Sequence, residues 1–287
     1  MSNRVLLVTP PYHCGVVEVA GRWMPLGLVY IAGSLKKAGF SVEIYDAMSK
    51  FHSHSEIGER IKKSKPNFIG VTACTPTFND ALKVLETAKT IDRSVTTILG
   101  GVHPTFCNEE ILRRNAGAVD YIVRGEGEHT IVELLRSLTN GKGVENVKGI
   151  AFHADGDVVK TPERNFTDDL ESLTPAWELV EWKDYTYFVI PRSRLGMVSS
   201  SRGCSHDCAF CSQFKFWKQT WRGREPRKFV EEVDFLHKNF KVNVFLICDE
   251  FPTRDRSRWE EILDRLIKKK MDAYFLMETC VEDITRD

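Results

Sequence analysis

The segment Ser201-Arg-Gly-Cys-Ser-His-Asp-Cys-Ala-Phe-Cys-Ser212 places Cys204, Cys208 and Cys211 within eight residues, in the pattern CxxxCxxC. Cysteine thiolates are the usual ligands of iron–sulfur clusters. Three of them hold three corners of a four-iron, four-sulfur cube and leave the fourth iron open to another ligand. The competing chemistry is zinc. A structural zinc site takes four ligands, usually as two CxxC-like pairs. Only one such pair is present here, and His206, a candidate fourth ligand, lies inside the first loop. Three exposed thiols without any metal would be a liability to oxidation. The spacing therefore favours a cluster over zinc, and either over bare thiols. Cys14, Cys74, Cys107, Cys248 and Cys280 are scattered and read as core or loop thiols. In a cytosolic chain the cysteines are not expected to form a disulfide framework.

Such a loop has to be carried by regular structure. A strand-like run over residues 195–199 leads directly into Cys204. It is followed by a helix over 226–238, a strand over 242–248, a helix over 256–269 and a strand over 273–278. The first half alternates in the same way. Strand patterns cover 4–8, 41–46, 67–72, 95–99 and 118–123; helical patterns cover 25–37, 55–63, 77–90, 104–115 and 129–138. Alternation of this kind predicts a parallel sheet covered on both faces. With right-handed crossovers, five such units suit a flavodoxin-like order with ligands at the carboxyl ends of the strands. The loops at those ends, 9–14, 46–49, 72–77, 100–105 and 124–129, hold most of this half's Gly, Pro and His. Residues 149–159 read as a hairpin turning at Asp155-Gly156. Residues 161–194 read as a linker packed along the surface. The expected division is 1–140, then a hairpin and linker over 141–194, then 195–287.

A length of 287 residues suits one large domain or two of ordinary size, and 42% apolar residues can build a sizeable core. Forty basic side chains balance forty acidic ones. That balance leaves no electrostatic footprint for nucleic acid or an anionic membrane, so neither is an expected partner. The apolar run Val5–Val8 is too short for a secretory signal and is stopped by Pro10-Pro11. No stretch approaches the roughly 20 apolar residues of a membrane helix. The expected location is the cytoplasm.

The cysteine motif, with Phe210 just before its third cysteine, resembles that of the radical S-adenosylmethionine superfamily. The resemblance implies that the cofactor's amino and carboxylate groups chelate the open iron. One electron from the reduced cluster then releases a 5′-deoxyadenosyl radical, the protein's part being to position the cofactors and exclude water. It also implies that Phe210 shields the cluster. Cys248-Asp-Glu-Phe-Pro252 stands where the superfamily has its Gly-Gly-Glu-type segment, so Asp249 and Glu250 become acceptors for the cofactor's amino group. Glu278, at the end of the third strand, is a further candidate. A solvated strand end remains the alternative for these carboxylates.

Several further segments resemble the anaerobic magnesium-protoporphyrin IX monomethyl ester cyclase family: 10–25, 99–105, 124–128, 211–226 and 249–253. That likeness implies an α/β architecture, a flavodoxin-like (Rossmann-like) parallel-sheet domain followed by a partial (β/α) radical S-adenosylmethionine barrel. It implies an enzyme with a cobalamin between these domains, a porphyrin ester as substrate and a low-potential electron donor as partner. No histidine has an aspartate two residues before it, so the Asp-x-His-x-x-Gly cobalt ligand is not expected. Thr72, Thr75, Gly100, Gly101 and Gly127 are the candidates for the cobalamin tail, because glycines let backbone amides approach a polar group. Turns and helix caps explain such glycines as well. Phe214, Phe216, Trp217 and Trp221 either line a flat tetrapyrrole or pack a helix on a sheet. No residue is singled out as catalytic. A cobalamin-dependent methyltransferase and a non-catalytic cobalamin-binding module are the alternative functions. The family's barrel has more strands than the three seen here, so a shortened barrel, or one completed by a second chain, is expected. Cys280 stands where the family leads one to expect a larger polar or basic residue.

Overall fold

The computed structural model describes residues 3–13, 15, 19–154 and 156–284; Cys14, the Asp155 of the expected turn and residues 285–287 lie outside them. The chain divides into two units. The first comprises residues 1–14, 27–166 and 173–180. Its sheet starts from β1 (Arg4–Thr9), where Leu6 and Val8 enter one apolar cluster and Val5 and Leu7 the other. Burial on both sides is what a central parallel strand requires. β2 (Ser41–Asp46), β3 (Phe68–Thr72), β4 (Thr96–Gly100) and β5 (Tyr121–Val123) join it in parallel, in the order β2-β1-β3-β4-β5. This is the flavodoxin-like order expected from the alternation.

Five helices cover the sheet: α1 (Leu26–Lys37), α2 (His54–Ser64), α3 (Phe78–Ile91), α4 (Val102–Asn115) and α5 (Glu128–Thr139). Ile57, Val84, Leu85 and Leu112 bring α2, α3 and α4 onto the face of Leu6 and Val8. Leu28, Leu35, Leu134 and Leu135 bring α1 and α5 onto the other. α2 starts on a capping box, with Ser53 and Glu56 satisfying each other's backbone donors.

The hairpin, β6 (Ile150–Ala154) and β7 (Asp157–Lys160), does not sit in a connecting segment of its own. It pairs antiparallel onto β5 and extends the sheet to seven strands. β5 is only three residues long, and β6 lays Ile150, Ala151 and Phe152 into the core beside it. The stretch beyond it is not a surface linker either. Leu173, Ala176 and Trp177 are buried in the first unit, and the Ala176 amide donates to Val29 of α1 at 3.0 Å. Trp182 and Tyr185 are buried in the second unit. Its aromatic residues, rather than its turns, decide where this segment goes.

The second unit comprises residues 15–26, 167–172 and 181–287. Its larger sheet has three described strands, β8 (Leu195–Val198), β11 (Val244–Ile247) and β12 (Tyr274–Met277), parallel in the order β12-β11-β8. Between β8 and β11 lie β9 (Ser201–Gly203), α6 (Gln213–Trp217), β10 (Trp221–Gly223) and α7 (Pro226–Phe240); α8 (Arg256–Lys269) joins β11 to β12. The β9–β10 ribbon is antiparallel and, like α6, has no strong sequence signature. α7 opens with proline in its first turn behind Glu225, which accepts from the Arg227 amide at 3.2 Å. Phe229, Val233 and Leu236 of α7 and Trp259, Ile262 and Leu266 of α8 are buried.

Gly33 of α1 has no room for a side chain: a Cβ there would stand 1.7 Å from the Thr174 carbonyl oxygen. A Cβ on Gly27, earlier in the same helix, would meet nothing within 4 Å. Gly33→Ala is therefore expected to lose about 1–3 kcal/mol in urea unfolding despite alanine's better helix propensity. Gly27→Ala is expected to be neutral or slightly stabilising.

Candidate cofactor sites

All three strands of the second unit's sheet point the same way, so their carboxyl ends converge on one edge. β8 leaves that edge through Ser199-Ser200 into β9, and Gly203 hands the chain to Cys204. Gly203 has φ +95°, and a Cβ there would stand 2.2 Å from the Thr220 carbonyl oxygen. Only glycine lets the start of the cysteine loop press so closely on the entry to β10. Cys204, Cys208 and Cys211 are free thiols, Cys208 exposed and the other two half-buried. The Cys211 amide closes a turn onto the Cys208 carbonyl at 3.0 Å. Burial, and then the neighbouring Cys208, Cys211 and Glu250, push the Cys204 thiol up, against a hydrogen bond from the His206 amide. Three unpaired thiols within electrostatic reach on one loop are a donor set that suits iron–sulfur chemistry. Among the described residues no three His, Cys, Asp or Glu side chains stand in metal-binding geometry.

The two carboxylates after β11 fasten this loop. Asp249 is not an open acceptor for a cofactor. It is 4% exposed, and its oxygens accept from the Ser200 amide at 2.7 Å and from the Ser200 and Ser201 hydroxyls at 2.6 Å each. It thereby ties the end of β11 to the β8–β9 junction. Burial pushes its carboxyl up to about 6, with the serine bonds and Arg258 opposing. Arg258 of α8 donates to the Ser200 and Arg224 carbonyls and lies over the Trp221 ring. Glu250 accepts from the Gly203 amide at 3.0 Å and from the Trp217 indole at 2.8 Å. It thus holds both the residue before Cys204 and the helix after Cys211. Being half-buried, it keeps acceptor capacity toward the loop. Ser200, Ser201 and Arg258 were not singled out from sequence, and Trp217 was read only as tetrapyrrole lining or helix packing; the Ser199-Ser-Ser run before the motif was the available signal.

Phe210 is 93% exposed and shields nothing in this conformation. Glu278 is exposed just beyond β12. Trp217 is buried edge-to-face with Phe216, and the Trp221 indole donates to the Phe251 carbonyl at 2.9 Å. These two rings are used in packing. Burial pushes the Cys248 thiol up to about 12, so it stays protonated. A cleft of about 670 Å³ lined by Ser205, Gln219, Trp221, Arg254, Asp255 and Arg256 opens beside the loop.

In the first unit, Thr72, Thr75, Gly100 and Gly101 come together at the carboxyl ends of β3 and β4. The Ala73 amide bonds to Gly100 O at 2.8 Å, and Thr75 Oγ1 lies 3.2 Å from His103 Nδ1. Gly101 has φ +102°, and a Cβ there would collide with the Ala73 backbone at 2.5 Å. That explains its type without a ligand. Gly127, at the start of α5, is kept small by Ile31, 2.8 Å from where its Cβ would be. Of the three glycines only Gly100 remains, where a Cβ would meet only the Val123 oxygen at 3.8 Å; Gly125, not picked out from sequence, is likewise open, a Cβ at its φ of +70° meeting nothing within 4 Å. The space beside both is open, although the Gly125 amide donates to the Thr105 hydroxyl at 3.0 Å and the Gly100 carbonyl accepts from Ala73. A cavity of about 710 Å³ lined by Asn3, Lys65, Asn67 and Asp92 lies at the opposite, amino end of the strands.

Residues 12–135 match the B12 binding domain family. The cobalamin-dependent S-adenosylmethionine radical enzyme OxsB, solved with aqua-cobalamin and S-adenosylmethionine, has the same fold. Its TM-score is 0.78 at 20% identity, over 96% of this chain and 38% of that one. The first unit thus carries a B12 binding domain, in a chain with the fold of OxsB. The chain is 39% identical, over 99% of its length, to the anaerobic magnesium-protoporphyrin IX monomethyl ester cyclase of Rubrivivax gelatinosus, covering 52% of that protein. To the enzyme of the same name from Cereibacter sphaeroides it is 34% identical over 99% of its length, covering 47% of it. The chain thus spans about half the length of these relatives. Among the described residues no helix is long and apolar enough to cross a membrane.

The Asp249 carboxyl sits at about 6 in the folded chain, against an ordinary 3.8. The fold therefore holds a proton that the unfolded chain releases between those values. Its contribution to stability is full below about pH 4 and is lost, by about 2–3 kcal/mol, as pH rises through about 6. Asp249→Asn is expected to remove this slope in urea titrations repeated from pH 4 to 7; an unaltered slope would place the proton elsewhere. Trp217→Phe removes a donor from Glu250 and is expected to cost about 1–3 kcal/mol by the same assay.

Proposed function

We propose that this chain is the cobalamin- and cluster-binding part of a radical S-adenosylmethionine enzyme of the anaerobic porphyrin ester cyclase type, working in the cytoplasm. Three free thiols at the carboxyl ends of β8, β11 and β12 carry this reading, on a chain 39% identical to a cyclase over 99% of its length. Cys204, Cys208 and Cys211 would hold a four-iron, four-sulfur cluster. When bound, the cluster supplies the electron that cleaves S-adenosylmethionine to a 5′-deoxyadenosyl radical, which takes hydrogen from a propionate side chain of a porphyrin ester.

The chain's own residues do the positioning. Asp249 fixes the exit of β8, and Glu250 fixes Gly203 and Trp217 on either side of the cysteines. The free acceptor capacity of Glu250 is available to the amino group of S-adenosylmethionine, a role its position supports better than that of Asp249 or the exposed Glu278. Phe210, swung out in this conformation, is free to fold over the loop once it is filled. In the first unit the open space beside Gly100 and Gly125, with the Thr72 and Thr75 hydroxyls, receives the nucleotide tail of a cobalamin. The low-potential electron donor is a separate protein.

Reconstitution with iron and sulfide without oxygen, followed by reduction, is expected to give an electron paramagnetic resonance signal that changes when S-adenosylmethionine is added. Replacing Cys204, Cys208 and Cys211 together with alanine is expected to abolish the signal while leaving cobalamin binding within about twofold, because the two ligand sets are on different sheets. Folded protein that takes up zinc and no cluster would sink the reading. In a chain extended to the relatives' length, S-adenosylhomocysteine formed in step with 5′-deoxyadenosine would assign methyl transfer in place of cyclisation.

A further inference from the structure

Cys280 is a thiol that the function above leaves unused. β12 ends at Met277, and the chain turns through Thr279 and Cys280 into a short 3-10 turn, Val281–Asp283. That turn is fastened to the segment after Glu250: the Thr253 hydroxyl bonds both the Thr279 hydroxyl and the Asp283 carboxylate. The fastening holds the Cys280 Sγ 4.0 Å from Nε2 of His206, which lies between Cys204 and Cys208. The His206 ring is itself set edge-on against Phe251 at 4.6 Å. Cys280 is free and half-buried, and both Cys204 and Cys208 are within electrostatic reach of its thiol. Four thiols therefore share the carboxyl edge of one small sheet, where a three-cysteine motif supplies only three of the four iron ligands a cube can take.

We propose that Cys280 is a fourth thiolate ligand, which closes the open iron while S-adenosylmethionine is absent and yields that iron when it binds. The proposal rests on the reading that Cys204, Cys208 and Cys211 hold the cluster. The exchange is balanced without redox change. The iron–sulfur bond to Cys280 breaks, and the thiolate leaves with its electron pair and takes a proton from solvent. The amino nitrogen and carboxylate oxygen of S-adenosylmethionine form the replacing bonds. A resting cluster capped in this way exposes no open iron to oxidants.

The test is Mössbauer spectroscopy of iron-57-reconstituted chain, with S-adenosylmethionine binding measured in parallel, for the unaltered protein, Cys280→Ala and Cys280→Ser. Without S-adenosylmethionine, the unaltered protein is expected to show four irons of one ligand type, and Cys280→Ala one distinct iron. Cys280→Ser, which keeps a coordinating oxygen, is expected to hold the cluster with one shifted iron. Loss of the competing thiolate is expected to tighten the apparent Kd for S-adenosylmethionine about tenfold in Cys280→Ala, because no fraction of the protein is then held closed. One distinct iron already present in the unaltered protein, with spectrum and Kd unchanged in both variants, overturns the proposal and leaves the cluster reading standing. Absence of a cluster from all three proteins overturns both.

Discussion

The buried carboxylate of Asp249 is the contact on which the second unit's site depends. A cysteine loop at a sheet edge is only as well placed as the strand exits that carry it. Asp249 takes three hydrogen bonds from Ser200 and Ser201, and so welds the exit of β11 to that of β8. Bonds to an ionised acceptor are each worth about 1.5–3 kcal/mol, which offsets much of the cost of taking a carboxylate out of water. Arg258 completes the arrangement from α8 through carbonyls of Ser200 and Arg224. Arg224 in turn pairs with Glu171 and Glu232. Removal of a serine hydroxyl leaves the buried Asp249 carboxylate short of a donor, which makes it depend on its neighbours.

The two sheets solve the same problem separately. In each, parallel strands joined by helices deliver their loops to the carboxyl edge, where the backbone is free to meet a ligand. Glycine is spent where two such loops must touch. Gly101 lets the turn after β4 lie on Ala73, and Gly203 lets the cysteine loop lie on Thr220. These glycines serve loop packing, and the space beside Gly100 and Gly125 is more open. β12 is bonded on one side only among the described strands, and its Tyr274 and Met277 are exposed. An apolar strand edge of that kind is a natural place for further chain to add.

The sequence by itself determined the class. Strand–helix alternation specified the parallel sheet and its order, because helix and strand periods differ and crossovers have one hand. The cysteine spacing narrowed the chemistry to propose, because a short loop with three thiolates has few metals it can serve. The start of the helix at Pro226 was legible because a first-turn proline acts locally, whereas the Ser53 cap went unread and that helix starts one residue before the expected 55.

Tertiary structure decided what each carboxylate and glycine does. Asp249 and Glu250 are adjacent and look equivalent in sequence. One points into the sheet and is consumed by serines; the other points toward the loop. That difference is set by strand pairing with residues almost fifty positions away. The hairpin's place on β5, the burial of Trp177 and Trp182, and the approach of Cys280 to His206 are likewise long-range contacts. Local pattern carries no information about them, because each depends on which surfaces the finished sheets leave to be covered.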